Sequence, residues 1–78
     1  MAVVESFIRM PKERGHRHRT ALECSWSLVD LEDGRLLQLD TFGSHDRQLP
    51  GKVSQTLQFD RRTAQELVAI VKAAFPGI

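Results

Sequence analysis

Residues 20–30 read TALECSWSLVD, and apolar and polar side chains alternate along them. One side of the extended chain carries the larger apolar residues, Leu22, Cys24, Trp26 and Leu28. A period of two over this length predicts a half-buried strand with that side facing the core. This interpretation favours core packing of Trp26 over stacking on a base, and a buried, inert Cys24 over a nucleophile.

The residues after this strand predict a hairpin and a third strand. Asp33-Gly34 indicates a tight turn, because both residue types tolerate positive φ. We expect a strand over 35–42, with Leu37 and Leu39 facing inward. Its other side carries Leu36, Gln38, Asp40 and Phe42.

The last third of the chain predicts a strand followed by a helix. Residues 52–59 alternate again, with Val53, Gln55, Leu57 and Phe59 on one side. Asp60 is placed to cap a helix over 61–75, which Pro76 and Gly77 end. The helix carries a wide apolar stripe at helical spacing, formed by Ala64, Leu67, Val68, Ile70, Val71, Ala74 and Phe75.

The N-terminal residues 3–10 also predict a strand, which Pro11 ends because proline cannot donate to a strand ladder. The order is then strand, strand, strand, strand, helix. We predict a single α+β domain over residues 1–78, with a four-stranded antiparallel sheet followed by one C-terminal amphipathic helix (ββββα).

Length and cysteine content limit how such a domain is stabilised. A chain of 78 residues buries little of its surface, and its single cysteine excludes an internal disulfide. We therefore expect homo-oligomerisation. An unpaired cysteine, no apolar run of membrane-spanning length and an N-terminus without a signal-peptide pattern predict a cytoplasmic protein that does not cross a membrane.

Charge is unevenly distributed although the net charge is only +1. Residues 9–19 contain five basic residues and one acid, whereas residues 20–42 contain five acids and one arginine. Such asymmetry matters more for the choice of partner than the total does.

The second half of the chain resembles a known family. Residues 33–40 read DGRLLQLD and lead through a polar loop to Pro50-Gly51-Lys52, an alternating strand and an amphipathic helix. This arrangement resembles the single-stranded-DNA-binding family of the eukaryotic transcriptional coactivator positive cofactor four and its small bacterial relatives. The resemblance implies the same element order, DNA binding on a sheet face, and dimerisation through the C-terminal helix.

The chain departs from the family on the sheet face that would bind DNA. The family lines that face with basic and aromatic side chains, whereas this one carries mostly uncharged polar groups. Glu23 and Asp40 on it would repel phosphate, and Phe42 alone offers a stacking surface there. Positive charge must then come from the N-terminal loop, Arg35, Arg47 and Lys52.

The most unusual stretch is residues 14–19, which read RGHRHR. Its arginines suit phosphate oxygens and Gly15 permits close backbone approach, but a solvated polar loop explains the composition equally well. The candidate nucleic-acid contacts are Arg14, Arg17, Arg19, Arg35 and Lys52, with His16, His18 and Phe42 as weaker candidates. We expect no metal, no cofactor and no catalytic residue, because the spacings typical of such sites are missing.

We therefore expect a non-catalytic protein that binds nucleic acid, with single-stranded DNA or RNA favoured. It would act as a small dimeric accessory factor in transcription or repair. The alternative is a protein-interaction or dimerisation module that binds no nucleic acid.

Overall fold

The computed structural model describes residues 1–12, 14–42 and 53–78, which form four strands and one helix in one α+β arrangement. The elements are β1 (Ala2–Val3), β2 (Cys24–Leu31), β3 (Gly34–Phe42), β4 (Val53–Phe59) and α1 (Arg61–Ala74). The expected element order is confirmed. The sheet is mixed, however, because one of its strand pairs is parallel.

β2 and β3 form the predicted antiparallel hairpin. Trp26 lies opposite Leu39 and Leu28 opposite Leu37, so the alternation read from the sequence is correct. The predicted turn at Asp33-Gly34 is displaced by one residue: the turn residues are Glu32 and Asp33, and the positive φ of 147° belongs to Gly34, the first residue of β3. β2 begins at Cys24, later than the predicted residue 20.

β4 pairs with β3 through a bulge that the alternation did not reveal. Thr41 lies opposite Gln55, but Phe42 lies opposite Val53, so Ser54 is an extra residue in β4. Residues directly opposite in an antiparallel pair point to the same side. The bulge therefore places Val53 on the side of Phe42, and its predicted position beside Leu57 is wrong.

The first strand is much shorter than the predicted 3–10 and pairs differently. Ala2 lies opposite Leu57 in a parallel pair, and the Val4 amide donates to the Gln58 carbonyl at 2.9 Å. Beyond it, Phe7 stacks on Phe59 with ring centroids 6.2 Å apart. The prediction of a fully antiparallel sheet is therefore wrong for this strand, and the sheet order is β1-β4-β3-β2.

The helix begins where Asp60 predicted it. The Asp60 carboxylate accepts hydrogen bonds from the Thr63 amide at 2.8 Å and from the Thr63 hydroxyl at 2.9 Å. Thr63 is fully buried, so this cap lies at the packed end of the helix. At the other end Phe75 caps α1, and its amide donates to the Val71 carbonyl at 2.9 Å.

Few apolar side chains are buried, and this corrects the expected core. Among the described residues Phe59, which is 4% exposed, is the one buried apolar side chain. Trp26 is 70% exposed and Cys24 is exposed too, so the predicted burial of both is wrong. The alternation correctly placed these two residues on the same side of the sheet. They are exposed because α1 packs against β3 and β4, whereas β2 lies at the far edge of the sheet.

Within the described ranges, no helix has both the length and the apolar character needed to cross a membrane.

Replacing Asp60 tests the helix cap. We expect Asp60→Ala to lower the melting temperature by about 5 °C, since the Thr63 amide loses its acceptor. Asp60→Asn keeps a capping oxygen and should be close to wild type only when the pH is below the lowered folded-state pKa of Asp60. Circular dichroism melts measure both effects, and Asp33→Asn in the exposed turn controls for the lost charge.

The pH dependence of these melts gives a second readout. The Thr63 amide, followed by its hydroxyl, lowers the pKa of Asp60 below 3.8. The stabilisation from its charge is therefore complete above the unfolded-state pKa of about 3.9 and is lost as pH falls through the lower folded pKa. The advantage of wild type over Asp60→Asn should shrink on acidification. An advantage independent of pH would contradict the ionised cap.

Candidate nucleic-acid interface

The basic segment, residues 14–19, leads towards β2 without regular secondary structure. All six of its residues are exposed. The rings of His16 and His18 approach to a centroid distance of 5.5 Å with a tilt of 40°. The segment thus presents three guanidinium groups and two imidazoles to solvent within a short length of chain.

The arginines of the basic segment differ from Arg35 and Arg62 in their pairing. No carboxylate of the described residues lies within 4.0 Å of the Arg14, Arg17 or Arg19 guanidinium. By contrast, Arg62 pairs with Glu66 at 3.1 Å and also donates to the Glu5 carbonyl at 2.6 Å. Within the described chain, the charge of the basic segment is therefore not offset by an ion pair.

Arg35 lies in a different setting from the one expected. Its Nε donates to Asp30 Oδ1 at 2.7 Å in an exposed ion pair. Because side chains alternate along β3, Arg35 points to the side that carries Leu37 and Trp26. The carboxylate offsets much of its charge, which makes Arg35 a weaker phosphate contact than the sequence suggested.

Phe42 lies on the opposite side of the sheet from Arg35 and is half-buried, so the two predicted contacts do not share a surface. The bulge brings Val53 opposite Phe42, so the sheet side that carries Gln38 and Asp40 is partly apolar at this end. Lys52 lies outside the described residues, as do His45 and Arg47. The structure thus leaves the basic segment as the main group of predicted contacts that lie together.

Four side chains of β3 and β4 form a polar ladder, which consists of Gln38, Asp40, Thr56 and Gln58. The Gln58 amide donates to Gln38 Oε1 at 2.9 Å, and the Gln38 amide donates to Asp40 Oδ2 at 3.0 Å. The Thr56 hydroxyl donates to Asp40 Oδ1. Each carboxylate oxygen of Asp40 therefore accepts one bond, and the Gln38 amide has a fixed orientation.

The polar ladder keeps a negative charge on this side of the sheet. The hydrogen bond from Thr56, followed by that from Gln38, lowers the pKa of Asp40 below 3.8, against a smaller opposing effect of burial. An ionised carboxylate repels phosphate, so the ladder disfavours contact with a nucleic-acid backbone. The sequence placed these residues on one side, but the two hydrogen bonds from Thr56 and Gln58 depend on the register between β3 and β4.

Exposed apolar side chains form the surface that sequence reasoning missed. Trp26 and Leu28 of β2 are 70% and 50% exposed, and Leu57 of β4 is 42% exposed on the same side. Exposed indole rings stack well on unpaired bases. Trp26, which the sequence assigned to the core, is thus a more accessible stacking surface than Phe42.

The residue types that catalysis or metal binding would use include Cys24, His16 and His18. Cys24 is exposed, and its thiol contacts the neighbouring Ser25 carbonyl at 3.6 Å. Among residues 1–12, 14–42 and 53–78, no three His, Cys, Asp or Glu side chains are grouped as a metal site requires. The near pair of His16 and His18 supplies two imidazoles, fewer than the ligands of a structural zinc site.

Comparison with known proteins adds no relative. No family model matches the chain, and neither a curated protein nor a solved structure matches it.

Replacing Thr56 tests the polar ladder. We expect Thr56→Val to raise the pKa of Asp40, because the strongest hydrogen bond to its carboxylate is lost while the Gln38 bond remains. Titration of the Asp40 carboxyl carbon by NMR measures the change. Thr41→Val, on the other side of the same sheet, is the matched control and should leave the pKa of Asp40 as it is in wild type. An Asp40 titration that is the same in wild type and Thr56→Val would contradict the ladder.

Proposed function

We propose that this chain is a cytoplasmic, non-catalytic protein that binds single-stranded DNA or RNA and acts as a small homodimeric accessory factor in transcription or repair. The observation that carries the proposal is the basic segment, whose Arg14, Arg17 and Arg19 are exposed and have no carboxylate partner within the described chain.

Electrostatic contact with phosphate supplies the affinity in this proposal. Guanidinium groups bind phosphate oxygens through paired, charge-assisted hydrogen bonds. A segment without regular structure can adapt to the irregular path of a single strand, and His16 and His18 add flat surfaces beside the arginines. Binding of this kind depends mainly on the backbone and only weakly on sequence.

Exposed aromatic rings supply the second part of the mechanism. The polar ladder repels phosphate on one side of the sheet, and Trp26 lies on the other side. Trp26 lies close in sequence to the end of the basic segment and is mostly exposed, which suits it to stack on an unpaired base. Phe42 would contribute less because it is half-buried.

Dimerisation through α1 would cover apolar surface that one copy leaves in solvent. On the helix and just beyond it, Ile70 is 45% exposed, Val68 53% and Phe75 64%. Val71 is half-buried within one copy, so it contributes less to a partner contact than the sequence suggested. A symmetric pair of helices is a common way for so small a domain to gain a core.

A protein-interaction module without nucleic-acid binding is the second candidate. The observation that favours it is the exposed apolar side of β2, where Trp26 and Leu28 offer a surface that suits a protein partner as well as a base.

A binding titration separates these two candidates. We expect labelled single-stranded oligonucleotide to bind with an affinity that falls as salt rises, with a slope of about −0.7 per phosphate neutralised. Replacing Arg14, Arg17 and Arg19 together by alanine should make the slope shallower by about two, because three phosphate contacts are lost. Fluorescence anisotropy at several salt concentrations measures it.

The control for this titration removes positive charge elsewhere. Arg61→Ala with Lys72→Ala takes two cationic groups from α1 and should leave the slope near that of wild type. If wild type fails to bind single- or double-stranded DNA or RNA even at low salt, the nucleic-acid proposal is wrong and the interaction module remains.

Light scattering tests the helix contact. We expect Ile70→Glu to reduce the mass of the assembly by half, since a carboxylate in a helix pair loses its hydration. Gln65→Glu, also exposed on α1, adds the same charge and should keep the wild-type mass. An unchanged mass for Ile70→Glu would exclude α1 as the interface.

A further inference from the structure

Nothing in the described part of the chain pairs with the outer backbone edge of β2. In the described part of the chain the sheet order places β2 at its end, beside β3 alone. The Phe42 amide donates to the Glu23 carbonyl at 3.3 Å, and this bond determines which residues of β2 form backbone hydrogen bonds with β3. Residues 25, 27, 29 and 31 then bond to β3, and the N–H and C=O groups of Cys24, Trp26, Leu28 and Asp30 point away from the sheet.

This edge lacks the features that keep edge strands apart. Natural edges commonly carry lysine, proline, a bulge or an unpaired inward charge. β2 reads CSWSLVDL, pairs regularly with β3, and has Asp30 as its one charged residue, which Arg35 neutralises. Two large apolar side chains, Trp26 and Leu28, stand along it and are at least half exposed. Such a strand is suited to pairing with another strand.

Charge distribution identifies a second copy of this chain as the partner. The basic segment precedes β2, and the acidic turn residues Glu32 and Asp33 follow it. Antiparallel pairing of two copies lays the basic segment of each beside the acidic turn of the other. Parallel pairing would set like charges together, and an unrelated peptide would need the same charge asymmetry to gain as much.

Side-chain pairing selects the register. A twofold axis at Ser27 sets Trp26 opposite Leu28 of the partner subunit, which joins an aromatic and an aliphatic side chain at both hydrogen-bonded pairs nearest the axis. An axis at Leu28 would instead set Trp26 opposite an aspartate already paired with Arg35. The first register buries apolar surface without breaking that ion pair.

We propose that two copies pair through β2 as antiparallel strands about a twofold axis at Ser27, so that two sheets join into one. This contact is separate from α1 and does not depend on nucleic-acid binding. If the α1 contact also forms, each copy has two twofold interfaces, and the smallest closed assembly that contains both is a tetramer.

Cysteine cross-linking tests the pairing and its register. In a Cys24→Ser background, Ser27→Cys places two thiols at a non-hydrogen-bonded pair, where Cα atoms are about 4.5 Å apart and a disulfide forms readily. Ser25→Cys is the matched control, exposed on the same side of the same strand. In the proposed register it pairs with residue 29 of the other copy, so its thiols are about 13 Å apart.

We expect Ser27→Cys to form a disulfide dimer at least about ten-fold faster than Ser25→Cys under mild oxidation, because only the first pair meets the geometric requirement. Failure of Ser27→Cys to cross-link, or equal rates for the two variants, would overturn the proposal. Equal rates would indicate cross-linking by random collision, and a failure of Ser27→Cys to cross-link would indicate a different occupant of the edge.

A proline substitution tests the backbone contact independently. Leu28→Pro removes an N–H that points away from β3, whereas Leu28→Ala removes a similar side chain and keeps that N–H. The proline variant should have half the mass of wild type by light scattering, with folding checked by circular dichroism, and Leu28→Ala measures how much of that loss the missing side chain explains. A proline variant with the wild-type mass would overturn the β2 contact, whether or not Ile70→Glu shows that the α1 contact exists.

Discussion

The packing of Phe59 holds three parts of the molecule together. Its ring stacks on Phe7 of the N-terminal segment, its backbone ends β4, and Asp60 begins α1 immediately after it. Arg62, two residues further on, donates to the Glu5 carbonyl and ties the same segment to the first turn of the helix. Among the described residues Phe59 is the one buried apolar side chain. The relative position of sheet, helix and N-terminus therefore depends on this junction.

The features that sequence predicted well are those set by neighbours along the chain. The alternation of β2 and β3, the turn before Gly34 and the cap at Asp60 all follow from local preferences, and all are present. The parallel strand β1 was not predictable in this way, because alternation does not tell which edge a strand joins. The exposure of Trp26 was missed for a related reason: a period of two groups side chains on one face but does not reveal whether anything covers that face.

Part of the candidate site was also predictable. The composition of the basic segment drew attention to Arg14, Arg17 and Arg19, and their exposure agrees with a role in contact. The sequence did not reveal that strand pairing brings Asp30 of β2 within 2.7 Å of the Arg35 side chain. The bulge at Ser54 changed the surroundings of Phe42 by moving Val53 to its side. The errors therefore arose where strand register, rather than residue type, decides which groups meet.

The polar ladder has a consequence for how the strands find their alignment. Thr56 and Gln58 of β4 bond to Asp40 and Gln38 of β3 only when each lies opposite its observed partner. A slip of one residue would turn Thr56 to the other face and leave a half-buried carboxylate without its hydroxyl donor. An apolar pair would tolerate such a slip far better, since its contacts are not directional. The charge of Asp40, which makes this face poor for phosphate, therefore also disfavours misaligned pairings of the two strands.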